Sequence, residues 1–266
     1  MAEDLFVQTA GSRLAVRDYG GDGPPIVLIH GNYGNLASFD YLGPLLTTGL
    51  RVVAYDQRGH GWSETGPMSA LEFTKDLATV IDTLDLAPPI LYGSSFGTLI
   101  GLAYLLDGGA ARAFITEDGR LSDFPEVLPT LDPPSQTRRI LDPENWNAYL
   151  AGFSVAGPAG KATAYRSAVE RGDGDTEIVP SAADIFAKES AFARRPVEEA
   201  YQSAPGTVLA LLARRGADLE ARQAEADALG RIVDLDITWF DSGHWASAEM
   251  VELVAQRVLE FCVRIS

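Results

Sequence analysis

Pro89-Ile90-Leu91-Tyr92-Gly93-Ser94-Ser95-Phe96-Gly97 is the stretch whose reading decides the fold. An apolar run enters it, and a helical pattern with Leu99, Ile100, Leu102, Ala103, Leu105 and Leu106 leaves it. That is a strand, a sharp turn and a helix, with Ser95 at the apex. A turn this tight strains the backbone of the apical residue and lifts its side chain above the sheet, where side chains at the flanking positions would clash. Ser95 is therefore the leading candidate for a nucleophile.

A serine hydroxyl is a poor nucleophile at neutral pH and needs a nearby imidazole to take its proton. The chain has three histidines, His30, His60 and His244. Each follows an apolar run that reads as a strand: Pro25-Ile26-Val27-Leu28-Ile29, Arg51-Val52-Val53-Ala54-Tyr55 and Asp236-Ile237-Thr238-Trp239-Phe240. Loops at the carboxyl ends of parallel strands converge on one crevice, so all three can lie near Ser95.

Order along the chain separates them. His30-Gly31, Asp56-Gln57-Arg58-Gly59-His60-Gly61, the turn around Ser95 and Gly243-His244 follow one another as in the α/β-hydrolase superfamily, which the chain resembles over residues 10–118 and 205–263. The resemblance implies a triad ordered serine, acid, histidine. By that carry-over Ser95 is the nucleophile and His244 the general base. His30 and His60 suit side chains that pin their loops by hydrogen bonds.

The run Val208-Leu209-Ala210-Leu211-Leu212-Ala213 reads as the seventh strand, and the superfamily's acid lies a few residues past it. Asp218 falls there and is the expected acid, holding the imidazole tautomer. Gly216 stands two residues before it where three is usual, and Asp218 also suits the N-cap of a helix over 219–229. Glu117 and Asp118, at the end of the sixth strand, are the rival acids. The same turns imply an oxyanion hole from the backbone N–H groups of Asn32 and Phe96, the latter opening a helix whose dipole favours negative charge.

Strands are read near 4–9, 12–18, 25–30, 51–56, 89–93, 112–117, 207–213 and 236–240. Helices are read near 36–48, 69–85, 96–107, 218–229 and 245–263. This alternation predicts an α/β fold with a mostly parallel eight-stranded sheet flanked by helices. The core domain is read as 1–120 and 205–266, interrupted by a helical cap over 121–204. Prolines break up the start of the cap, and helices are read near 143–153, 158–171 and 181–194, with no strand alternation. Arg171-Gly172-Asp173-Gly174-Asp175 reads as an exposed turn.

The cap is rich in large apolar groups, including Phe124, Leu128, Leu131, Trp146, Tyr149 and Phe153. Trp146, Tyr149 and Phe153 recur at helical spacing and share a face. Trp146 and Tyr149 are taken as substrate-binding, together with Tyr33 and Trp245 beside the catalytic loops, where Phe96 is also expected to line the site. A pocket of this kind suits a medium-sized hydrophobic ester or lactone.

The net charge of −16, with three lysines, argues against nucleic acid and against an anionic membrane surface. The single cysteine, Cys262, lies in the apolar pattern of the last helix and reads as buried filler. The acidic start, with no apolar run behind it, reads as a cytoplasmic chain. A monomer or homodimer is expected, with neither metal nor organic cofactor. The same triad also serves C–C bond or amide hydrolysis, and the scaffold also serves as a ligand receptor.

Overall fold

Successive apolar residues of the central strands point to opposite faces of the sheet and feed two separate cores. A computed structural model describes residues 2–124, 139–153, 156–170 and 175–265. The chain begins with β1 (Glu3–Gln8), β2 (Arg13–Gly20) and β3 (Pro25–Ile29). A 3₁₀ turn at Leu36–Phe39, α1 (Leu42–Leu46), β4 (Arg51–Tyr55) and α2 (Ala70–Thr83) follow. Next come β5 (Ile90–Ser94), α3 (Phe96–Leu106) and β6 (Ala113–Glu117).

The insertion then holds β7 (Arg139–Leu141), α4 (Pro143–Phe153), α5 (Gly157–Arg166), β8 (Ala168–Glu170), β9 (Thr176–Ile178), α6 (Ala182–Phe192) and α7 (Val197–Gln202). The core resumes with β10 (Val208–Ala213), α8 (Leu219–Leu229), β11 (Leu235–Phe240), α9 (Ala246–Glu249) and α10 (Val251–Arg264).

The main sheet runs β1-β2-β4-β3-β5-β6-β10-β11. It is parallel from β4 to β11, with β1 and β2 antiparallel at one edge. All eight strands expected from the sequence are present. Val27, Ile29, Val53, Ala210 and Leu212 face the core under α2 and α3. Ile26, Leu28, Val52, Leu209 and Leu211 face the opposite core under α1 and α10, where Cys262 is buried. This period of two is the geometry of a pleated strand covered on both sides.

Strand order reverses around β3: the chain steps to β4 on one side and returns to β5 on the other. A crevice opens at the carboxyl ends of strands at such a switch point. The loop after β3 and the turn after β5 meet there, so topology alone brings His30-Gly31-Asn32 to Ser95.

The insertion departs from the all-helical expectation. Besides helices it carries a three-stranded antiparallel sheet in the order β7-β9-β8. Each of these strands has three residues, too few to show an alternating pattern in sequence. The helix expected over 158–171 ends at Arg166, and α7 was not foreseen. Leu128, Leu131 and residues 171–174 of the expected turn lie outside the described residues. Among the described residues no helix is long and apolar enough to cross a membrane.

Candidate active site

Ser95 has φ +52°, a left-handed conformation that serine rarely adopts, and it N-caps α3. The neighbouring glycines make the turn possible. A Cβ on Gly93 would stand 2.5 Å from the Thr98 backbone nitrogen, and one on Gly97 would fall on the Ile29 carbonyl. The Ser95 N–H donates to the Glu117 carbonyl at 2.8 Å, which fastens the turn to the end of β6. From the other side Gly31 closes in, its hypothetical Cβ 3.0 Å from that of Ser95.

His244 follows β11, and its Nδ1 lies 2.5 Å from Oδ2 of Asp118. Asp118 directly follows β6 with φ +44°, another strained position, and aspartate is among the residues that tolerate it. Its N–H donates to the Leu211 carbonyl at 2.8 Å, extending the β6–β10 ladder by one residue. Its Oδ1 accepts the Ala213 N–H at 3.2 Å and lies 3.7 Å from the Arg222 guanidinium. The carboxylate thus leans across the end of β10 to reach the histidine. The hydrogen bond to Asp118 raises the His244 pKa above its ordinary 6.5, against the opposing effect of burial.

Asp218, the acid expected from the sequence, is not brought to His244. It N-caps α8, its Oδ1 accepting the Ala221 N–H at 3.1 Å on an exposed corner. The reason lies in the chain after β10. Arg214 and Arg215 keep donating, to the carbonyls of Phe240 and Ser242 at 3.0 Å each, so this segment runs alongside the approach to His244 and carries Asp218 past it. Glu117 is fully buried and its Oε1 accepts the Ser247 N–H at 2.6 Å. It anchors the helix after His244 rather than the imidazole itself. The signal for Asp118 was present as a rival acid at the end of the sixth strand.

The turn after β3 offers the backbone N–H of Asn32, and α3 offers that of Phe96. Among the described residues neither N–H has a hydrogen-bond acceptor. His30 and His60 do pin loops, as expected. His30 Nδ1 lies 2.8 Å from the Gly31 carbonyl and its Nε2 accepts the Gln57 N–H at 3.0 Å. These contacts fix a neutral ring with its proton on Nδ1, and burial lowers its pKa to about 3. His60 Nε2 lies 3.0 Å from the Asn32 carbonyl.

Ser95, His244 and Asn32 line one cavity of about 790 Å³ between sheet and cap. Tyr33, Tyr149 and Trp245 line it too, as read from the sequence, together with Phe153. Trp146 does not. It stands behind the wall, stacked on Tyr149 at 5.6 Å between ring centres and edge-on to Tyr165 at 5.8 Å. Phe96 also turns away from the cavity and packs on Phe192 at 5.1 Å. Sequence reading missed the charged pair at the rim, Arg215 and Glu249, which are in direct contact. Glu249 also accepts the Gly243 N–H at 3.0 Å, bracing the histidine turn. Among the described residues no cluster of three or more His, Cys, Asp or Glu is placed to hold a metal ion.

A family model for the alpha/beta hydrolase fold matches residues 24–198. A putative non-heme chloroperoxidase of Synechocystis sp. is 42% identical over 96 residues, 35% of this chain and 34% of its own length. A 2-(acetamidomethylene)succinate hydrolase of Mesorhizobium japonicum is 40% identical over 80 residues, 29% of this chain and 28% of its own length. These matches span about a third of the curated relatives. The crystal structure of E-2-(acetamidomethylene)succinate hydrolase superposes with a TM-score of 0.77 at 21% identity, covering 98% of this chain and 99% of that one. With the sheet order, the strained serine turn and the family match over residues 24–198, the chain belongs to the alpha/beta hydrolase family.

Proposed function

We propose that this protein is a serine hydrolase that cleaves a carboxylic ester or lactone of a small to medium hydrophobic substrate through an acyl-enzyme. The observation that carries this reading is the 2.5 Å contact between Asp118 and His244 Nδ1, with His244 and Ser95 on one cavity. Asp118 fixes the proton on Nδ1 and leaves Nε2 to serve Ser95. Ser95 Oγ attacks the carbonyl carbon as its proton passes to Nε2. The negative oxygen that forms is held by the N–H groups of Asn32 and Phe96. Collapse expels the alcohol, which takes the proton from the imidazolium. Water, deprotonated by His244, then attacks the acyl-enzyme and releases the acid.

The cavity supports a hydrophobic substrate. Its volume of about 790 Å³ is within the usual range for small-molecule sites, and Tyr149, Phe153 and Trp245 supply an aromatic wall. The curated relatives whose names state a reaction include a hydrolase and a proline iminopeptidase, both consistent with acyl transfer. The test is labelling by a fluorophosphonate, followed by steady-state turnover on a panel of esters, lactones and amides. Wild-type protein should label at Ser95 and turn over an ester or lactone repeatedly, and Ser95→Ala should do neither. Labelling at Ser94, or ligand binding without turnover, would overturn the assignment.

A further inference from the structure

Lys188 is fully buried, an unusual place for a lysine, and it belongs to the cap helix α6. Its ammonium group does not reach the substrate cavity. It donates to Gln57 Oε1 at 3.0 Å, lies 3.0 Å from His60 Nε2, and stands 4.8 Å over the Phe96 ring. Gln57 and His60 lead on to the turn that carries Asn32.

Two routes run from Lys188 to Asn32. Along the first, Gln57 donates its backbone N–H to His30 Nε2 at 3.0 Å, and His30 Nδ1 holds the Gly31 carbonyl at 2.8 Å. That carbonyl belongs to the same planar peptide unit as the Asn32 N–H, so holding one end aims the other. Along the second, the buried His60 ring stands between Lys188 and the turn, its Nε2 3.0 Å from both Lys188 Nζ and the Asn32 carbonyl and its Nδ1 2.9 Å from the Arg58 carbonyl, so it packs the next peptide plane in place. The adjacent cap residue, Glu189, grips the same turn from a third direction, accepting the Asn32 side-chain N–H at 2.7 Å. Burial drives the Lys188 pKa well below the ordinary lysine range and raises that of Glu189. The geometry of these hydrogen bonds does the holding.

Resting on the hydrolase reading above, we propose that Lys188 and Glu189 are positioning residues for the oxyanion hole. Through them the docked position of α6 sets the direction of the Asn32 N–H. The cap is then more than a wall for substrate: its seating completes the group that stabilises the tetrahedral intermediate. Neither residue touches the reacting atoms.

The test uses Lys188→Met, which keeps the apolar stem beside Phe96 but removes the donor. It is paired with Glu189→Leu and Glu189→Gln, of which only the glutamine keeps an acceptor for Asn32. Full loss of one oxyanion donor costs about 10²–10³ in kcat. Mis-aiming it should cost about 10–100-fold in Lys188→Met and Glu189→Leu on p-nitrophenyl butyrate, with KM within about 3-fold. Affinity for an alkyl trifluoromethyl ketone, whose adduct with Ser95 places a negative oxygen in the hole, should fall in parallel. Glu189→Gln should recover most of the loss.

If Lys188→Met does not fold, the Glu189 pair still decides. Unchanged kcat and ketone affinity in Glu189→Leu, or equal losses in the leucine and glutamine variants, would overturn the proposal while Ser95→Ala remains dead. Turnover by Ser95→Ala would instead overturn the hydrolase reading itself.

Discussion

Replacing Asp118 and Asp218 separately distinguishes the acid expected from the sequence, Asp218, from the rival that the structure brings to His244, Asp118. In Asp118→Asn the side chain keeps its shape and its Oδ1 bond to the Ala213 N–H, seen at 3.2 Å. The amide then presents a donor to His244 Nδ1, where the carboxylate accepted at 2.5 Å. The imidazole proton is pushed to Nε2, and the ring can no longer take the proton of Ser95. In triads of this type the wrong tautomer costs about 10⁴ in kcat, or about 5.5 kcal/mol of transition-state stabilisation. Asp218 holds one exposed helix N-terminus through its 3.1 Å bond to Ala221. Asp218→Ala should cost about 1 kcal/mol of stability and lower Tm by roughly 2–4 °C, and Asp218→Asn should be near neutral because asparagine caps equally well. The assays are steady-state kcat on the best ester of the panel and thermal unfolding of each variant. Loss of activity in Asp218→Asn, with Asp118→Asn near wild type, would refute the reasoning.

Because the hydrogen bond to Asp118 raises the His244 pKa, the imidazole keeps its proton to a higher pH than an ordinary histidine, and in the proposed mechanism it acts as a base only once that proton leaves. The rising limb of kcat/KM against pH should therefore fall above 6.5 in wild type, and the residual activity of Asp118→Asn should show a limb shifted to lower pH. Stability linked to His244 has the matching sign: a raised folded-state pKa favours folding below the unfolded value, and that contribution fades as pH rises through the folded value. Gly152 lines the cavity, and a Cβ there would meet nothing within 4 Å. Gly152→Ala should be tolerated and should favour the helix by up to about 1 kcal/mol. Gly152→Phe should raise KM for long-chain p-nitrophenyl esters far more than for the acetate, and equal effects on both would show that the acyl group lies elsewhere.

What was legible in the sequence was local. Apolar runs with flanking turn residues located the eight strands of the main sheet, and the glycines at 93 and 97 located the strained serine. Ser95 and His244 are each marked by their own neighbours. The partner of the histidine is not, because an aspartate past a strand end has the same local pattern whether it caps a helix or reaches a ring. The choice was made by the sheet: β6 and β11 flank β10, and the chain after β10 remains paired with the approach to His244. Lys188 was illegible for a related reason. In sequence it is one charged residue in an amphipathic helix, and its burial follows from where α6 lands on the loop after β4. Trp146 and Tyr149 shared a helical face, but only the inner of the two rows reaches the cavity.

The cap is held unevenly, which predicts where it opens. The α5 end is tied by a buried ion pair, Arg166 to Asp56 at 2.9 Å, and by Asn35, which donates to the Thr163 carbonyl at 2.8 Å. The α6 end is tied through Lys188 and Glu189. Buried ion pairs add little net stability once desolvation is counted, but breaking one leaves a charge without compensation. Such ties therefore fix position more than they add strength. By contrast α4 buries none of its residues, and its inner row meets the core through the rings of Phe153 and Trp245, 5.4 Å apart. An element with few buried contacts belongs to the low-stability end of a structure and can open without unfolding the rest. We therefore expect α4 to be the moving wall through which substrate enters, while α5 and α6 stay seated. Amide hydrogen exchange should show α4 exchanging well before the middle of α5 and α6. A tetrahedral inhibitor bound at Ser95 should slow α4 most, because ligand contacts with Tyr149 and Phe153 close it. Exchange of all three helices at one rate would mean that the cap lifts as a unit, and the oxyanion turn would then lose its support each time substrate entered.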